Sequence, residues 1–154
     1  MSRPSVSHGT FVIERRYGAP PSRVFAAWAD AAAKARWFVG PEGWRELRRE
    51  MEFRVGGHER LTGRHRDGRV SDFDARYHDI VADRRIVYSY GMQVDDRRIS
   101  VSLATVELAP AGRGTLLTFT EQAAFLDGFD GAAGREQGTG LLLDQLGAAL
   151  GEVD

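Results

Sequence analysis

Glu121 is the acid in this chain with the strongest claim to chemistry. In Thr115-Leu-Leu-Thr-Phe-Thr-Glu-Gln122 a period of two puts Leu117, Phe119 and Glu121 on one face of a strand and Thr118, Thr120 and Gln122 on the other. A carboxylate on the apolar face loses water, which raises its pKa toward the range useful to a general acid or base. The same position suits a structural ion pair with an arginine such as Arg135. Structural pairs outnumber catalytic ones, so the ion pair is the leading reading and the residue types name no catalytic group.

The histidines offer less. His58 and His65 lie seven residues apart, which puts them on opposite faces of one strand unless Gly63 forms a bulge. His78 shares its face with Asp72, Asp74 and Arg76, the expected solvent side. No pair has His-x-His or His-x-x-x-His spacing, so no metal is expected. A Gly-x-Ser-x-Gly elbow is missing, and Gly138-Thr-Gly140 lies inside a helical segment rather than before one, so neither a serine triad nor a phosphate-binding cofactor loop is indicated. No cofactor is expected. The absence of cysteine removes thiol nucleophiles, thiolate metal sites and disulfides together.

Arg45, Arg48, Arg49, Arg60, Arg64, Arg66 and Arg69 form a basic run. Glu46, Glu50, Glu52 and Glu59 neutralise it, and Lys34 is the only lysine, so arginine serves as the general surface cation. A solvated, salt-bridged outer face follows, and with a net charge of −1 no nucleic-acid partner is expected. Tyr77, Tyr88 and Tyr90 have apolar bodies and polar tips. They suit either a packed core or the wall of a cavity that holds an aromatic ligand.

These residues need elements to position them. Thr10–Tyr17 reads as a first strand, and Pro20-Pro21 opens a short helix to about Ala29. Asp30 caps a second short helix, expected over 31–38. From Trp44 the period becomes two, with strands expected at 45–55, 58–66, 69–81, 85–92, 97–109 and 114–124. The connectors, including Gly56-Gly57, Asp67-Gly68 and Asp95-Asp96, are tight and too short for crossovers, so an antiparallel meander is expected, with both central residues of the two-residue turns at positive φ. In 97–109 either face could point inward. Gly131–Leu150 then forms a long helix, capped by Asp127 or Asp130, with Leu142, Leu143, Leu146, Ala149 and Leu150 as its apolar stripe.

The fold class is therefore α+β: a curved seven-strand antiparallel sheet around a long C-terminal helix, with two short helices after the first strand, in a single domain spanning 1–154. Seven strands at about 4.8 Å make a sheet roughly 34 Å wide, whereas a helix is only about 10–12 Å across. The sheet must curl around the helix, and the volume between them is either filled by side chains or left as a cavity. Sequence alone leaves that choice open.

Several stretches carry a family resemblance. Ala19-Pro-Pro-Ser-Arg-Val-Phe-Ala-Ala-Trp28, Trp37-Phe38, Phe53-Arg-Val-Gly-Gly57, Arg85-Ile-Val-Tyr-Ser-Tyr90, Gly134-Arg-Glu-Gln-Gly-Thr-Gly140 and Leu143-Asp-Gln-Leu146 resemble, in order, the landmarks of the START-like (SRPBCC) superfamily. They are most similar to the branch named after the activator of heat-shock-protein-90 ATPase (AHSA-like). The resemblance implies a helix-grip fold with a cavity, in a superfamily that includes lipid carriers, polyketide cyclases and co-chaperone domains. Many relatives carry Trp where this chain has Arg135 and Thr139, and Thr139 in place of Trp would widen the pocket near the helix start or shift its mouth.

The expectation is a carrier of a small hydrophobic or aromatic ligand, lined by Trp37, Phe53, Tyr77, Tyr88, Tyr90, Phe119, Thr139, Leu142 and Leu146, with Glu121 as polar anchor. One alternative is a cyclase- or hydrolase-like enzyme using Glu121 as acid or base. Another is a stress- or chaperone-related interaction module, or a homodimer, formed through Val101 and Leu103 on the outer sheet. The polar N-terminus lacks a signal-peptide core and no run approaches a membrane span, so a cytoplasmic location is expected.

Overall fold

The computed structural model describes residues 3–129 and 131–151. Strand β1 (Val6–Tyr17) leads through α1 (Pro21–Ala29) and α2 (Ala31–Lys34) to a meander of β2 (Arg45–Met51), β3 (His58–Arg64), β4 (Val70–Val81), β5 (Arg85–Val94), β6 (Arg97–Ala111) and β7 (Gly114–Leu126), and α3 (Ala132–Ala149) closes the chain. All strands join one antiparallel sheet in the order β1-β7-β6-β5-β4-β3-β2. Since β1 and β2 form opposite edges, α1 and α2 carry the chain across the whole width of the sheet. The sheet curls around α3, the helix-grip arrangement.

Local chemistry accounts for most boundaries. Asp30 accepts from the Ala33 amide at 2.9 Å, capping α2. That helix is shorter than expected: after Lys34 the chain runs to Phe38 in turns, held by Trp37 N–H to Lys34 O at 3.2 Å and by the Trp37 indole donating to Ala27 O at 2.9 Å. Strand β2 stops at Met51 rather than near residue 55. There the chain folds back through Glu52 N–H to His58 O at 2.7 Å and is pinned to β4 by Gly56 N–H to Tyr77 O at 2.8 Å.

Of the tight turns, Asp95-Asp96 has both residues left-handed, at φ 49° and 67°. At Asp67-Gly68 only the glycine is. Asp127 does not cap α3. It sits at φ 59° and its carboxylate accepts from the Ser5 amide at 3.0 Å, while Gly131 occupies the N-cap position. Asp130, the other expected cap, lies outside the described residues.

The ambiguous strand is resolved. Ser102, Ala104, Val106 and Leu108 of β6 face inward, and Val101 and Leu103 face out, 54% and 39% exposed. A register shift between Met92 and Gln93 on β5 lets both Ile99 and Ser100 be buried. The core fills the concave side, from Phe11 and Ile13 of β1 to Leu61 of β3. Among the described residues no helix is long and apolar enough to cross a membrane.

Candidate ligand cavity

Helix α3 works differently along its length. Its second half is docked: Leu143, Leu146 and Leu150 are buried, and the Tyr17 hydroxyl donates to the Leu143 carbonyl at 2.7 Å. Its first half carries Gly134 and Gly138, which bring no side chain to the gap beneath them. A cavity of about 390 Å³ lies there, toward the small end of ligand sites. Leu61, Ser71, Phe73, Tyr90 and Met92 form the floor on β3, β4 and β5, and Arg135, Thr139 and Leu142 contribute to the roof. By register Ser71 is four residues from Ala75, the partner of Tyr90, so the floor runs roughly 13 Å along the strands.

The rim comes from the α2–β2 loop, with Phe38, Val39, Pro41 and Trp44. The Trp44 indole occupies space that only glycines leave open: a Cβ on Gly63 would meet its Nε1 at 1.9 Å, and one on Gly40 would meet the ring at 2.3 Å. Gln145 ties this loop to α3 by donating to Trp37 O at 2.7 Å and Val39 O at 3.4 Å.

A polar network closes the end of the cavity near Tyr90. Oε2 of Glu121 accepts from the Tyr90 hydroxyl at 2.6 Å, the Ser102 hydroxyl at 2.7 Å and Arg135 Nη1 at 3.4 Å. Arg135 also donates to the Tyr90 oxygen at 2.9 Å and to Ser100 Oγ at 2.8 Å. Glu121 is completely buried, and its Oε1 meets no hydrogen-bond partner among the described residues. Burial raises the Tyr90 pKa, reinforced by the Glu121 charge. The leading reading of Glu121, an ion pair with Arg135, is the arrangement found. Toward the β3–β4 turn a second polar pair lines the cavity, His65 Nε2 and Ser71 Oγ 2.8 Å apart.

A second buried charge cluster was not anticipated. Lys34 Nζ lies 2.6 Å from Glu59 Oε1, which also accepts from the Tyr77 hydroxyl at 2.5 Å. The ammonium sits over the Phe38 and Trp28 rings, at 4.6 and 5.4 Å. Desolvation lowers the Lys34 pKa, with the Glu59 charge opposing. Sequence reading grouped Glu59 with the outer acids. It instead alternates with Leu61 and Gly63 on the inner face, and the same period of two, continued, finds His65. Within the run, Arg48–Glu50 and Arg49–Glu46 pair at 2.8 and 2.7 Å as expected, but the Arg49 side chain is only 15% exposed and also donates to Phe38 O at 2.8 Å.

Of the residues named from sequence, Tyr90, Thr139 and Leu142 line the cavity. Trp37, Tyr77, Tyr88, Phe119 and Leu146 are buried in the packed core beside it, Phe119 stacked on Phe11 at 6.4 Å. Phe53 packs edge-on to Phe25 and Tyr77, at 5.7 and 5.0 Å. Glu121 stands behind Tyr90. The inward aromatics therefore divide between filling the gap and bordering it. Among the described residues no three His, Asp or Glu side chains cluster as metal ligands would.

A curled antiparallel sheet gripping one helix above an apolar hollow defines the SRPBCC-type class. Within it, the chain belongs to the activator of Hsp90 ATPase homolog 1-like family, whose model matches residues 18–151. Two solved relatives are similar over nearly their whole length. A protein from Rhizobium leguminosarum is 43% identical, covering 97% of this chain and 98% of its own, with a TM-score of 0.92. One from Rhizobium loti is 49% identical over 94% and 99%, with a TM-score of 0.87. An AHSA1-like protein from Aeromonas hydrophila, at 21% identity over 92% of each chain and a TM-score of 0.70, shares the fold. No protein of curated function matches.

Proposed function

We propose that this protein binds a small, largely apolar ligand, aromatic or polyketide-like, in the cavity between the β3–β5 floor and the first half of α3. The observation that carries the reading is the hollow of about 390 Å³ under Gly134 and Gly138, floored by Leu61, Phe73 and Met92. Elsewhere the core is closely packed around Leu143 and Leu146, so this gap persists where packing could have closed it. Walls that are mainly apolar with a few polar groups are what a ligand site needs.

The cyclase- or hydrolase-like reading is less well supported. Glu121 lies behind Tyr90 rather than on the cavity wall, and an acid or base must come within hydrogen-bond reach of the atom it serves.

Titration with the neutral fluorophore N-phenyl-naphthylamine tests the binding reading. One saturable site, whose emission is displaced by an unlabelled naphthalene derivative, is the expected result. Absence of saturation, together with an empty native mass spectrum for protein purified from its own cells, would overturn it.

A further inference from the structure

We infer that His65 and Ser71 form a hydrogen-bonding subsite for a hydroxyl group of the ligand, which lies with that hydroxyl toward the β3–β4 turn and its apolar body beneath α3. This rests on the ligand reading above and specifies the chemical class of the ligand, an aromatic alcohol rather than a bare hydrocarbon.

The meander itself builds the pair. Gly63 of β3 opposes Ser71 of β4, and His65 stands two residues past Gly63 on the same face, so ring and hydroxyl meet at 2.8 Å. The turn that follows fixes the backbone of His65, whose N–H donates to Arg69 O at 2.8 Å and whose carbonyl accepts from Gly68 N–H at 2.9 Å. Ser71 begins the inward row that continues through Phe73, Ala75 and Tyr77, all buried. Both members of the pair are half-buried and line the hollow.

Their mutual bond does not exhaust them. A serine hydroxyl has one proton and two lone pairs, and a ring nitrogen either accepts or donates. If Nε2 accepts the serine proton, both lone pairs of Oγ are left over. If Nε2 donates, one lone pair and the proton are left. Among the described residues Oγ bonds His65 alone, so in either tautomer it can still accept from a ligand. At the far end of the floor the Tyr90 hydroxyl is already engaged on both sides, donating to Glu121 at 2.6 Å and accepting from Arg135 at 2.9 Å.

A ligand that fills the hollow drives water from the floor. A hydrocarbon leaves the spare capacity of Oγ unmet, which weakens binding, and a hydroxyl meets it. Between the two ends Leu61, Phe73 and Met92 offer only apolar surface. The polar group therefore has one end to go to, and the apolar body lies over these three residues.

Competition of naphthol and methylnaphthalene, substituted at the same ring position, against N-phenyl-naphthylamine tests the inference. It is run at neutral pH, where a phenol holds its proton. The double variant Ser71→Ala, His65→Leu removes both polar groups at once, so neither is stranded and the fold should hold. The preference for naphthol over methylnaphthalene should fall by about tenfold from its wild-type value, through weaker naphthol and tighter methylnaphthalene binding. In the wild type, nitrogen-15 NMR should show one histidine ring, that of His65, responding to naphthol and far less to methylnaphthalene.

An unchanged ratio in a double variant that still melts cooperatively would overturn the inference and leave the ligand reading intact. If the double variant does not fold, the wild-type spectrum decides, and histidine signals that respond alike to both probes overturn it. Failure of both probes to displace the fluorophore would sink the ligand reading and this inference with it.

Discussion

Tyr90 donates its hydroxyl to Glu121 across 2.6 Å while its ring forms part of the cavity floor. One side chain therefore belongs both to the apolar surface a ligand would touch and to the buried network that fixes Arg135. Tyr90→Phe should keep the floor and remove the link. Glu121 loses a donor and Arg135 an acceptor, so the expected cost is about 1–3 kcal/mol, read as a lower urea midpoint at unchanged m-value.

The Lys34–Glu59 pair predicts strong non-additivity. Removing either partner, by Lys34→Met or Glu59→Gln, strands the other where side-chain exposure is only 3–4%, and should cost about 3–5 kcal/mol. The double variant should cost less than the sum of the two, because no charge is then left unpaired. A double-mutant cycle from urea unfolding measures the coupling, and additive losses would contradict the buried pairing.

The same residues set the alkaline stability profile. The folded-state pKa of Lys34 is lowered by burial, so between that value and the ordinary lysine value of about 10.4 the unfolded chain holds the extra proton. Stability from this group falls as pH falls through that window and returns as pH rises. Tyr77, Tyr88 and Tyr90 are all raised above the ordinary value of about 10, with burial the largest cause in each. Their contribution is complete below about pH 10 and is lost as pH rises beyond it. Each can remove up to about 1.4 kcal/mol per pH unit. Denaturant unfolding should show a gentle rise toward pH 10 and a steep fall above it. Tyr88→Phe should flatten the fall by about a third of the tyrosine share.

The fold was largely legible in the sequence because it is written in periodicity and turn chemistry. Glu59 shows where legibility ended. Its position two residues before Leu61 placed it on the inner face, yet the surrounding arginines made it read as one more surface acid. Lys34 was noticed only as the sole lysine. Its burial depends on Trp28, Phe38 and Tyr88, which come together from separate elements in three dimensions. A volume between sheet and helix, filled or open, was foreseen as a consequence of sheet width. Its position was not, because which inward tyrosines fill the gap depends on how α3 tilts, and no period records that.

Gly63 and Gly40 hold the rim open for Trp44. Gly63→Ala places a methyl carbon in hard overlap with the indole nitrogen, and the ring cannot stay. The expected outcome is a folded protein with red-shifted tryptophan emission as Trp44 moves into water, and with faster release of N-phenyl-naphthylamine in stopped-flow. Unchanged emission would mean that the rim is not held in the way described.

Thr139→Trp separates a ligand site from a packing defect. Thr139 is 8% exposed and faces the cavity from α3. An indole grown from that position enters a hollow of about 390 Å³, so the ordinary penalty for overpacking, about 1–3 kcal/mol, should be largely absent. Filling apolar space gains contacts instead, and the melting temperature should hold or rise. Binding of N-phenyl-naphthylamine should disappear at the same time, because the new ring and the probe need the same volume. Stability retained and binding lost is the signature of a cavity kept open for a guest. A sharp drop in stability would show that the roof cannot accept the indole and that the gap is too narrow to hold it. Binding that survives the substitution would place the probe somewhere other than between α3 and the sheet.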